Sequence, residues 1–211
     1  MKITLTEEQL LNVLNKCYQV ALDGIPETKT CYDLASEYLS KYKTKEEAIK
    51  NFVKWQVTKC TTSGFLTSLG GIVTLPIAIP VNLATVWYVQ LRMIATIANI
   101  AGHDPSDDEV QSLAYICLTG SSVSKIFRET GIELGKKLTI ATIEKIPTKA
   151  LQKINHTVGK RIITKFGTTG VINLGKMIPF VGGIVGGSFD YVGTRVIAKK
   201  AQDVFLIEKI D

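Results

Sequence analysis

Histidine and closely spaced cysteine are what this chain has least of. It carries two histidines, His103 and His156, and four cysteines, Cys17, Cys31, Cys60 and Cys117, none in CxxC spacing. A structural zinc site draws on closely spaced Cys and His pairs, so here it would need ligands gathered from scattered positions. The thiols read as reduced cysteines of a cytoplasmic protein. With Glu7 and Glu8 so early and no apolar h-region, no signal peptide is expected at the N-terminus. No run of alternating polarity is bounded by turn dipeptides, which argues against strands. Catalytic constellations are missing too: no nucleophile stands with its base, and no two carboxylates with matched roles. No catalytic residue, metal or cofactor is therefore expected. The nearest approach to a cofactor motif is Gly170-Val-Ile-Asn-Leu-Gly175-Lys176, but Met177 stands where a phosphate loop needs the Ser or Thr hydroxyl for magnesium. It is read as coincidence, and no nucleotide hydrolysis is expected.

Charge is absent over a long stretch. Between Lys59 and Arg92, the 32 residues Cys60–Leu91 carry none. That is enough to cross a bilayer, since roughly 20 apolar residues suffice. It is also broken, by Gly70-Gly71 and then by Pro76 and Pro80. A second apolar run, Met177–Phe189, lies between Lys176 and Asp190. Gly182/Gly186 and Gly183/Gly187 form overlapping small-xxx-small pairs there, which clear a helix face for close packing. Either a membrane-inserted hairpin or a tight crossing against the helix over 81–100 would use that face. Arg92 sits among Leu91, Met93 and Ile94; if buried it needs an acid, and Asp190 is the candidate partner.

Acidic residues are scarce in the second half. Residues 122–211 hold 15 basic and 7 acidic side chains, and from Lys136 to Lys176 nine basic residues face only Glu144. The net charge of +6 and the positive mean hydropathy of +0.18 together favour an anionic surface as partner. Within this region Leu151, Ile154, Val158, Ile162 and Phe166 recur every three or four residues. Lys149, Lys153, His156 and Lys160 run along another face, with Arg161 and Lys165 beside it. Such a basic amphipathic helix could lie on an anionic membrane, touching it through Lys149, Lys153, Ile154, Lys160, Arg161, Ile162, Lys165 and Phe166. It could equally be a surface helix with its apolar face turned inward. Nucleic acid is a weaker candidate, because Phe166 is the lone aromatic there and the apolar runs would be unexplained.

The rest reads as helices. Capping boxes at Thr6–Gln9, Thr44–Glu47 and Ser106–Glu109 open three of them. The spacing predicts helices from about 7 to 23, 30–42, 44–62, 81–100, 107–118, 122–145, 148–168 and 180–206. Phe65–Leu75 is a further arm, Gly24, Gly102 and Gly120 are stops, and Pro147 and Pro179 mark joints. Asp107, Asp108 and Glu109 are read as first-turn acids rather than a metal cluster, and His103 as a loop residue. The class is all-α: a single-domain helical bundle with two Gly/Pro-rich apolar segments packed at its centre.

Ile178-Pro179-Phe180-Val181-Gly182-Gly183-Ile184-Val185-Gly186-Gly187, then Phe189-Asp190-Tyr191 and Thr194-Arg195, resembles the C-terminal signature of EcsC-family proteins. Gly70-Gly71, Leu75-Pro76, Arg92 and Gly102-His103-Asp104-Pro105 resemble the family's central part. Asp190 stands where the family pattern has Asn. The likeness spans about 55–205, leaving 1–54 as a helical lead-in. It implies a bacterial protein, cytoplasmic or peripheral to the membrane, in a family named from an ABC-transporter operon. It implies no established catalytic activity and supplies no catalytic residues. The expectation is thus a non-enzymatic cytoplasmic protein at the inner face of the membrane, bound to anionic lipid or to a membrane protein, with self-association left open. The alternatives are a membrane-permeabilising effector, a soluble carrier of lipid or another hydrophobic ligand, and, last, an enzyme.

Overall fold

The computed structural model describes residues 6–25, 28–60, 81–132, 143–166 and 184–206, without the side chains of 59–60, 81–83, 165–166 and 184–192. Eight helices occupy these residues, with no strand among them. α1 (Glu7–Asp23) starts where the capping box predicts: Gln9 N donates to Thr6 Oγ1 and Thr6 N to Gln9 Oε1. It ends at Gly24, whose φ of 80° suits glycine. α2 (Cys31–Lys41) has a capping box of its own, Thr30 with Asp33, which the sequence reading passed over. α3 (Lys45–Cys60) opens with Glu47 N donating to Thr44 Oγ1.

α4 (Val81–Ala101) is the axis of the bundle. It packs against α1, α2 and α3, and also against α5 (Asp108–Leu118) and α8 (Ile184–Phe205). From Leu91 to Ile100 all but Asn99 are buried, including Met93, Ile94 and Ile97. Each such side chain stabilises by about 1.5–3 kcal/mol, so its near-continuous apolar sequence belongs to a helix surrounded by others. Gly102 closes α4 with φ 102°, and Lys45 Nζ donates to the Ala101 carbonyl at 2.7 Å, tying α3 to that end. Tyr18 and Tyr115 meet edge to face at 5.8 Å, and their hydroxyls reach Pro105 O and Asn15 Oδ1. These bonds fasten α1 to α5 and the turn before it.

Two local expectations are corrected. The box over Ser106–Glu109 does not form. Ser106 N donates instead to Asp104 Oδ1, Asp107 becomes the N-cap, and Asp108 and Glu109 lie in the first turn of α5. The helix expected over 122–145 stops early: α6 (Val123–Thr130) ends at Gly131, in the left-handed region at φ 70°, with Ile132 N donating to Phe127 O. A glycine there satisfies the last carbonyls without the steric cost a side chain would bring. α7 (Thr148–Phe166) then packs on α1, α5 and α6, and α8 on α3, α4 and α5. The Phe65–Leu75 arm, the 170–177 string, Gly182 and Gly183 fall outside the described residues. No helix among the described residues is long and apolar enough to cross a membrane.

Candidate functional site

Cationic side chains gather around a hollow between α3 and α8. On α3, Lys50, Val53, Lys54, Val57 and Thr58 share one side, at the three- and four-residue spacing of a helix face. On α8, Arg195, Ala198, Lys199 and Gln202 do the same. The two faces enclose a groove of about 470 Å³. Its floor is apolar, with Val57 and Ala198 buried and Val53 partly so, while all four cations are exposed on its walls. No acid lines it. Lys199 Nζ meets Asp203 Oδ1 at 2.7 Å outside the lining, and Lys50 and Lys54 form no ion pair among the described residues. Like charges converging on a concave surface raise the local potential and draw in anions. Sequence reasoning missed this groove. Two cation pairs at i, i+4 on separate helices were visible, but nothing in the pattern said that those helices meet.

α7 presents a second basic surface. Leu151, Ile154, Val158 and Ile162 point inward, with Ile154 and Ile162 only 0% and 1% exposed. Lys149, Lys153, His156 and Lys160 are exposed on the outside. Arg161 is half-buried and held by Glu129 and by Ser121 Oγ, the latter at 2.8 Å. Gly159 lets α1 approach: a Cβ there would lie 2.9 Å from Glu7 Cγ, and Glu7 Oε1 stands 3.3 Å from His156 Nε2. Of the residues expected to touch lipid, then, Lys149, Lys153 and Lys160 face solvent. In this packing Ile154 and Ile162 do not reach the surface, and the side chains of Lys165 and Phe166 lie outside the described residues.

Arg92 is buried at 4% exposure, beneath Tyr88 with 6.0 Å to the ring centroid. One Nη donates to the Lys29 carbonyl, and Nε has no hydrogen-bond partner among the described residues. α8 packs against α4, but the Asp190 side chain and the surroundings of Gly186 and Gly187 are outside what is described. His103 lies in the loop after α4, as expected, but it is buried there. It is 5% exposed, stacks edge-on against Phe205 at 5.2 Å, and its Nε2 lies 3.3 Å from the Phe205 carbonyl, so that nitrogen carries the proton. Burial holds this imidazole below its ordinary value. Cys17, Cys31 and Cys117 are free and buried, and burial pushes each thiol up to about 12. None is a thiolate at neutral pH, so none of the three is primed as a nucleophile.

The fold and these surfaces define an all-α bundle, built around one buried helix, with a cation-walled groove on one flank and a basic helix on another. Residues 4–207 match the EcsC protein family, nearly the whole length, and the chain belongs to that family. The match takes in α1 and α2, which pack directly on α4, as well as the 55–205 region that carries the signature residues. No curated protein and no solved structure matches the chain.

Proposed function

We propose that this is a non-enzymatic cytoplasmic protein that associates peripherally with the inner membrane, through anionic lipid or a membrane-protein partner. One observation carries the reading: Lys149, Lys153 and Lys160 are exposed along α7 while the apolar side of that helix is packed inside. At 1.5 Å per residue the three lysines span about 16 Å, a stripe that can meet a flat surface at several points. Each Lys near an anionic bilayer contributes about 1 kcal/mol, so three contribute about 3 kcal/mol, or roughly a hundredfold in partitioning. With Ile154 and Ile162 in the core, the contact is electrostatic and non-inserting. This differs from the shallow apolar insertion that the amphipathic pattern also allowed.

Co-sedimentation with vesicles of graded anionic lipid content tests it. Binding should rise with anionic content and be lost in the Lys149→Glu, Lys153→Glu, Lys160→Glu triple variant, whose fold should be intact because all three side chains are solvated. Indifference to vesicles of every composition would remove the membrane reading.

A further inference from the structure

We propose that the groove between α3 and α8 is a binding site for a small phosphate-bearing ligand. Its phosphate would be held between Lys50 and Lys54 on one wall and Arg195 and Lys199 on the other. The volume of about 470 Å³ lies within the range of small-molecule pockets and is far too small for a folded partner. The walls supply the donors such a group needs. Arg195 offers a planar fork that matches two phosphate oxygens at once, and the lysines offer mobile point charges that adapt to the third. Asp203, bonded to Lys199, sets the direction of that ammonium without entering the lining. The floor of Val53, Val57 and Ala198 has no polar side-chain atom. It therefore suits a short apolar portion attached to the phosphate. A phospholipid head with the first carbons of its chains and a free phosphorylated metabolite share this chemistry.

The site is independent of the membrane surface proposed for α7, because α7 packs on α1, α5 and α6 and the groove is formed by α3 and α8. Either reading can fail alone.

Isothermal titration of the full chain separates the cases, using pyrophosphate, dihexanoyl phosphatidate below its micelle concentration, and dihexanoyl phosphatidylcholine as the zwitterionic control. The two phosphates should bind with a stoichiometry of one. Lys50→Gln/Lys54→Gln and Arg195→Gln/Lys199→Gln should each weaken binding by at least about tenfold, as expected when charge-assisted hydrogen bonds are lost. All four side chains are exposed, so both variants should unfold as the wild type does. Raising salt from about 0.1 to 1 M shortens the screening length from about 10 to 3 Å and should also weaken binding. The triple α7 variant should bind both phosphates normally. Phosphatidate binding much more tightly than pyrophosphate would identify a lipid head as the source, and equal binding a soluble phosphate. The proposal is overturned if neither phosphate binds, if binding ignores both groove variants, if phosphatidylcholine binds as well as phosphatidate, or if a hexaglutamate peptide competes as strongly as pyrophosphate.

Discussion

Truncating Ile154 to alanine decides which way the basic helix faces. Ile154 is fully buried on α7, in the helix face that meets α1, α5 and α6. The change removes three carbons. At about 0.8 kcal/mol each that is about 2.4 kcal/mol of transfer free energy. The neighbours are helices pinned by their own buried side chains, so the space collapses only in part and a cavity adds to the cost. The total should be about 3–4 kcal/mol, inside the 2–5 kcal/mol span for buried Ile→Ala. Urea unfolding followed by circular dichroism reads this directly, provided the slope with urea is unchanged. Lys153→Ala is the internal control: its side chain is exposed, and its effect should stay within about 0.5 kcal/mol. A cost for Ile154→Ala below about 1 kcal/mol would mean that the apolar face of α7 is loosely held. It would then be free to enter lipid, and an electrostatic, non-inserting contact would no longer follow.

Three further outcomes are expected. Thr30→Ala removes the capping box of α2 and should lower stability by about 0.5–2 kcal/mol in the same assay; no change would deny the cap a role. Burial holds His103 below its usual 6.5, so between that value and its folded value the unfolded chain binds more protons. The stability tied to its neutral form is complete above about pH 7 and falls as pH drops toward the folded value, so the thermal midpoint should fall from about pH 7.5 to 5.5 and His103→Gln should flatten that slope. An unchanged slope in the variant would place the titration elsewhere. Finally, Arg92 is buried with Nε unpartnered among the described residues, which motivates an ion pair with Asp190. A double-mutant cycle of Arg92→Met and Asp190→Asn should give a coupling of about 1–3 kcal/mol, and a value under about 0.5 would dissolve the pair.

Much of the fold was legible because it is written in local chemistry. Thr6 with Gln9, Thr44 with its helix, and the glycines at 24 and 102 place helix ends to within a residue or two. The failures are local as well. Ser106 has the spacing of a capping box, but Asp104 accepts its backbone N–H first, which moves the N-cap to Asp107. Gly131 reads equally as a tolerated interior glycine or as a left-handed stop, and only the geometry distinguishes them. The candidate site was much less legible, for a different reason. A stripe of Leu151, Ile154, Val158 and Ile162 has the same periodicity whether it faces lipid or a core, since both are apolar. Its direction is set by α1, α5 and α6 closing over it. The groove depends on α3 and α8, more than a hundred residues apart, lying side by side, and no spacing within either helix encodes that meeting.

On the proposed reading, cations alone hold this protein to an anionic surface. The most direct measurement is a salt titration of wild-type protein already bound to anionic vesicles, followed by an alkaline wash. Release should be complete by about 0.5–1 M salt, where screening reaches only a few ångströms, and the released protein should be folded. Protein that stays on the vesicles through both high salt and alkaline pH, and leaves only with detergent, would contradict the claim and show that apolar segments have entered the bilayer.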